Sequence, residues 1–153
     1  MSRAPPRGDI PTGPKPDEWE LFPHGADSGV RGRGQTKEAA FANVAYAMTA
    51  AIADAGAVRP ETAVEVSCAA PDDELLLVDW LNALIYEMAT RKMLFSRFAV
   101  RIEDGTLTGI AWGEPIDPAR HGLGVEVKGA TYTALRVAQD AHGCWTAQCV
   151  VDV

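Results

Sequence analysis

The run Leu75-Leu76-Leu77-Val78-Asp79-Trp80-Leu81-Asn82-Ala83-Leu84-Ile85-Tyr86-Glu87-Met88 decides the fold. It is apolar almost all round, and a helix of that kind belongs in the interior, so it is predicted to be the central core helix. Pro71-Asp72-Asp73-Glu74 opens it. Three adjacent acids could form a metal cluster, but helix capping and compensation of the helix dipole account for them without one. Asp79, Asn82 and Tyr86 fall at i, i+3 and i+7, a single polar strip on the helix. Carboxylate, amide and phenol could make an active site; a satisfied hydrogen-bond network at the edge of a helix–sheet interface is the simpler reading.

On the N-terminal side of this helix, Thr62 to Ala69 alternates Val64 and Val66 with Glu65 and Ser67, the pattern of a half-buried strand. Before it, Thr36 is a suitable N-cap for a helix reaching about Asp54, with Glu38 in its first turn and Gly56 closing it. Phe41, Val44, Ala45, Met48 and Ile52 recur on one face of that helix. Earlier still, a short strand at Trp19–Phe22 and a turn at Pro23–Ala26 lead into a second strand punctuated by Gly29, Gly32 and Gly34. Those glycines predict a bulge or a close backbone approach, and their spacing is not the dinucleotide-binding fingerprint.

On the C-terminal side, Phe95–Glu103 and Thr106–Glu114 read as strands joined by the Asp104-Gly105 turn. Further strands are predicted over Gly124–Thr131, Ala134–Gln139 and Trp145–Asp152. The order β-β-α-β-α-β-β-β-β-β implies an α+β fold, a two-layer sandwich with two helices packed on a mostly antiparallel sheet. Residues 1–17, with Pro5, Pro6, Pro11, Pro14 and Pro16, lack the apolar content to offset ordering entropy and read as a disordered tail. Residues 18–153 read as one domain.

The net charge of −7 falls wholly within residues 34–153, which hold nine basic and sixteen acidic side chains. Such a body is ill suited to gripping nucleic-acid phosphates, which needs clustered Lys and Arg. A basic protein partner or a cation fits it better. Cys68, Cys144 and Cys149 form no C-x-x-C motif and cannot all pair within one chain, so free buried thiols in a reducing compartment are expected. Residues 1–18 contain no apolar run, and the Ala-rich stretch from Ala39 to Ala53 is too short to span a bilayer. A cytoplasmic location without membrane attachment is the expectation.

Near the end of the chain, Glu126-Val127-Lys128-Gly129-Ala130-Thr131-Tyr132 places a carboxylate and an amine two positions apart. On a strand these would share a face with Ala130 and Tyr132. A solvated surface ion pair, with Glu126 or Glu114 as the partner of Lys128, would explain them without a function.

Several motifs together resemble the archease family: His24-Gly25-Ala26-Asp27 after Pro23, the Leu76–Tyr86 helix, the Glu126–Tyr132 run, and a terminal Asp152-Val153. The likeness extends from about Trp19 to the C-terminus; the glycines at 29, 32 and 34 are its clearest departure, since the family pattern there is richer in β-branched residues. The resemblance implies a domain built from two related strand–helix–strand–strand units. It also implies an accessory factor, not itself an enzyme and with no catalytic residues. Its partner would be an RtcB-type RNA ligase, which joins RNA ends in tRNA splicing or RNA repair. The factor would promote guanylylation of the ligase's catalytic histidine and its turnover, without binding nucleic acid directly.

The resemblance makes Asp27, Asp152 and Val153 ligands of a divalent cation, calcium in the first place, with magnesium or manganese as alternatives. Read without it, C-terminal acids are usually just solvated; oxygen-only donors do suit hard cations, and the Val153 carboxylate would stand beside that of Asp152. Lys128, Glu126 and His24 are the partner-facing candidates. His24 is expected to order the turn before Asp27. His121 precedes a Gly122-x-Gly124 loop and no His/Cys cluster marks a zinc site. Ser28 lacks a G-x-S-x-G elbow. Two rival functions remain: a metal-dependent hydrolase using Asp27 and Asp152, and a chaperone-like interaction module.

Overall fold

A computed structural model describes residues 12–153. The chain forms β1 (Trp19–His24), β2 (Asp27–Gly34), α1 (Lys37–Ile52), β3 (Thr62–Ala69), α2 (Asp73–Arg91), β4 (Met93–Glu103) and β5 (Thr106–Pro115). A four-residue helix α3 (Pro118–His121) precedes β6 (Gly129–Ala130), β7 (Arg136–Gln139) and β8 (Trp145–Asp152). The order of the principal elements is the one the sequence predicts, and the fold is α+β. Every strand pair is antiparallel.

The strands divide between two sheets. One runs β1-β2-β8-β6, with β7 also paired to β8; the other runs β3-β5-β4. The unit β3-α2-β4-β5 pairs its first strand with its last and sets its middle strand, β4, on the other side of the last. The unit β2-α1 with β6 and β8 repeats that arrangement. The two related units are therefore not simply joined in succession: the first is interrupted after α1 and the second is inserted there.

Each of the two long helices packs against strands of both sheets, α1 on β2, β8 and β4, α2 on β3, β5, β6 and β7. Trp80 is wholly buried on α2, donates its indole N–H to Phe41 O of α1 at 3.0 Å and meets Phe98 edge-on. The N-caps follow the sequence, whereas α1 closes at Ala53 and not at Gly56. Thr36 Oγ1 accepts from Ala39 N at 3.0 Å, and Asp72 Oδ1 accepts from Leu75 N at 2.9 Å. Asp73 pairs with Lys37 and Glu74 accepts from Val137 N, so the three acids at the start of α2 are engaged structurally.

Three expectations change. The strand predicted over Gly124–Thr131 shrinks to Gly129–Ala130. Its backbone is divided between two elements, Gly124 N–H donating to Ile52 O at the end of α1 and Lys128 N–H to Asp152 O on β8, so no continuous ladder forms. The Asp79–Asn82–Tyr86 strip is no network: Asn82 Oδ1 accepts from Ala130 N at 2.9 Å, while Asp79 and Tyr86 face solvent. Finally, the glycines of β2 produce no bulge, since its register with β1 and β8 is unbroken. They mark a close backbone approach instead: a Cβ on Gly32 would lie 2.2 Å from Val44 N and 2.4 Å from Ala40 O of α1.

The tail expectation for residues 1–17 lies mostly outside the described residues. Residues 12–17 have no regular secondary structure, and Asp17 accepts from Asn43 Nδ2. Among the described residues no helix is long and apolar enough to cross a membrane. The three cysteines are free; burial pushes the Cys149 thiol up to about 12 and the Cys68 thiol, aided by the Asp79 charge, to about 11.

Candidate functional site

Strand register builds the site. His24 stands opposite Asp27 across the β1–β2 hairpin, Ser28 opposite Val151, and Gly129 opposite Asp152. Continuing the β2–β8 register by one position sets Asp27 across from Asp152. His24, Asp27, Asp152 and Gly129 therefore form one transverse row at the end of the larger sheet. Side chains alternate along a strand. Val30 and its partner Cys149 are fully buried beneath α1, so Asp27 and Asp152, of opposite parity, belong to the outer face.

Three contacts hold this end together. Asp27 Oδ1 accepts from Val153 N at 3.3 Å, which ties the start of β2 to the last residue. Asp152 O accepts from Lys128 N at 2.8 Å, bringing the 122–128 segment to the same tip. Asn82 reaches across from α2 to Ala130. Asp27 and Val153 are half-buried; His24, Asp152, Glu126 and Lys128 are exposed. Glu126 and Lys128 flank the buried Val127, so both side chains stay in solvent without a strand to align them. Among the described residues Lys128 forms no ion pair, and Glu114, one of its two candidate partners, is engaged elsewhere.

The donors at the tip are oxygens, the set that hard cations prefer. Among the described residues no three His, Cys, Asp or Glu side chains gather closely enough to hold a metal by themselves. Asp27 and Asp152 supply the two carboxylates of that row, with Val153 next to Asp152 in the chain.

A second cluster, which sequence reading did not assemble, lies at the other end of the 116–128 connection. Glu114 is buried and accepts from Arg120 Nη2 at 2.5 Å, Arg59 N at 2.6 Å and His121 Nε2 at 3.1 Å. His121 Nδ1 accepts from Asp117 N at 2.9 Å, so the ring proton sits on Nε2 and points at Glu114. Arg120 Nη1 donates to Ala57 O. The signal for this was present: Asp117-Pro118 is a helix start, and the short α3 it opens swings Arg120 and His121 back to Glu114. His121 is 0% exposed, so it cannot meet a substrate.

The Arg120 guanidinium foremost, then the Arg59 N–H and the His121 ring, hold the Glu114 carboxyl at about 2 against the opposing pull of burial. A carboxyl with a lower value folded than unfolded stabilises the fold fully above its unfolded value, near 4.5, and loses that contribution as pH falls toward about 2. Thermal melts from pH 5 to pH 2 should show the midpoint falling over this window, with a shallower fall in Glu114→Gln. Equal slopes would mean that the carboxylate is not ionically held.

Comparison with known proteins agrees with this architecture. The model of the Archease protein family (MTH1598/TM1083) matches residues 19–153. The protein archease of Methanosarcina acetivorans is 39% identical over 141 residues, covering 89% of this chain and 96% of its own. That of Pyrococcus furiosus is 36% identical, covering 89% and 99%. Among solved structures, Methanobacterium thermoautotrophicum protein 1598 superposes with a TM-score of 0.77 at 32% identity, over 88% of this chain and 98% of that one. A Thermotoga maritima archease, described as a "possible chaperone", has a TM-score of 0.57 at 18% identity, a likeness of fold alone. With the match starting at Trp19, the first residue of β1, and running through the Asp27–Asp152 row to Val153, the chain belongs to the archease family.

Proposed function

We propose that this chain is an accessory factor that activates an RtcB-type RNA ligase, promoting guanylylation of the ligase's catalytic histidine and turnover in tRNA splicing or RNA repair. The observation that carries the reading is the row at the end of the larger sheet, where Asp27 and Asp152 share one face with Lys128 drawn beside them. Family membership supports it. The acidic body also suits a protein partner better than direct contact with RNA.

In this reading the tip docks at the nucleotide-binding region of the ligase. Asp27 and Asp152 hold a divalent cation, calcium foremost and magnesium or manganese as alternatives, which supplies positive charge beside the nucleotide phosphates when bound. The Val153 N–H holds the Asp27 carboxylate at the end of the chain. Lys128 offers a free ammonium to a partner carboxylate or phosphate, with Glu126 two residues before it and His24 at the far end of the row. The chain itself performs no bond-making step, and the site is in the cytoplasm.

The test is transfer of labelled GMP to the cognate ligase at substoichiometric amounts of this protein, with and without added calcium. Stimulation over many ligase turnovers is expected. Unchanged labelling would overturn the activator reading and favour a chaperone-like module, whereas hydrolysis of substrate by the purified chain alone would favour the hydrolase.

A further inference from the structure

The connection between β5 and β6 has little of its own to hold it in place. After α3 it has no regular secondary structure until Gly129, and of residues 122–128 only Val127 is buried. Yet it carries Glu126, Lys128 and two exposed apolar side chains, Leu123 and Val125. A segment with so little hydrophobic anchorage takes its geometry from hydrogen bonds.

The bonds of the segment itself run to Ile52 O and Asp152 O, and α3, which leads into it, is fixed on the buried Glu114 cluster. Glu114 sits near the end of β5 and gathers Arg120 and His121 from α3 together with the Arg59 N–H that precedes β3. Arg120 also reaches Ala57 O, and His121 O accepts from Asp54 N at 2.8 Å. Gly124 N–H then donates to Ile52 O at 2.7 Å. The start of the connection is thus clamped to the C-terminal end of α1, and the next clamp is Lys128 N–H on Asp152 O. A buried ionic cluster is a poor route to stability alone, because packed apolar side chains would serve as well; its directional bonds do fix geometry.

We propose that Glu114, Arg120 and His121 are positioning residues that set the stance of segment 122–128, presenting Leu123, Val125, Glu126 and Lys128 as the contact surface for the protein partner. The partner contact rests on the proposed function; the clamping does not. The surface combines two apolar side chains with one charge of each sign, the composition of a protein–protein contact rather than of a nucleic-acid groove.

Two readings on Glu114→Gln and on Arg120→Lys test this, the second variant keeping the charge while losing the two-pronged contact. Amide exchange of the isolated chain should quicken about tenfold at Asp54 and Gly124, the change that losing one charge-assisted hydrogen bond converts to, while the β3–β5 ladder keeps its protection. With the ligase, the concentration of this protein giving half-maximal stimulation should rise several-fold and the plateau should hold, because the Asp27–Asp152 row is untouched. Unchanged exchange at Gly124 in a folded variant overturns the clamp. Faster exchange with an unchanged half-maximal concentration overturns the contact surface. A wild-type chain that fails to stimulate removes the proposed function, and the partner contact with it, while the exchange arm still decides the clamp.

Discussion

The Asp27→Asn protein is expected to fold normally and to stimulate guanylylation no better than buffer. Asparagine keeps the shape of the side chain and an oxygen that can accept the Val153 N–H, so the 3.3 Å contact survives. At a half-exposed position the cost to stability should stay within about 0.5 kcal/mol. What disappears is one of two negative charges facing each other across the β2–β8 pair. Changing a residue that merely supports a metal ligand costs about 10–100-fold in affinity, and removing a ligand's charge should cost no less. Titration calorimetry with calcium should show a loss of about tenfold or more, and Asp152→Asn should match it. Glu103→Gln, at an exposed carboxylate paired with Arg101 away from this row, is the control and should change nothing. Full stimulation by Asp27→Asn would remove the cation from the proposed mechanism.

Gly32→Ala should unfold much of the population at temperatures the wild type tolerates. Replacing glycine by alanine usually stabilises a compatible site by about 0.4–1 kcal/mol, through the unfolded chain. Here the new methyl would fall 2.2 Å from Val44 N and 2.4 Å from Ala40 O, which belong to the backbone of α1 and cannot rotate aside. Overpacking that side chains can absorb costs about 1–3 kcal/mol. With a helix backbone in the way, the loss should reach about 3 kcal/mol or more, a large share of the roughly 5–15 kcal/mol that holds a domain of this size. Urea denaturation would show a lower midpoint at an unchanged slope. Gly56→Ala is the matched control: its nearest neighbour would be Asp54 Oδ1 at 3.6 Å, and it should be neutral or slightly stabilising. Equal midpoints for the two variants would mean that α1 does not rest directly on β2.

These glycines illustrate what was legible in the sequence. Their spacing signalled either a bulge or a close approach, and nothing local separates the two, because for Gly32 and Gly34 the deciding atoms belong to a helix several residues further on. The two helices, their Thr36 and Asp72 caps and the Asp104-Gly105 hairpin were readable, since each depends on neighbours within a few positions. The strand expected over Gly124–Thr131 was not, because alternation reports a preference for extended backbone and not whether a partner strand stands alongside. Glu114, Arg120 and His121 were visible as separate residues. Their convergence depends on the turn that α3 makes and on the arrival of Arg59 from 55 positions earlier.

Local chemistry along the chain was enough to specify the element order and the α+β class, because periodicity and capping act over a few residues. The insertion of one strand–helix–strand–strand unit inside the other belongs to the folded chain. So do the division into two sheets and the row that sets Asp27 across from Asp152. Pairing partners more than a hundred residues apart are chosen by the total burial of both sheets against two shared helices, and no single segment carries that sum.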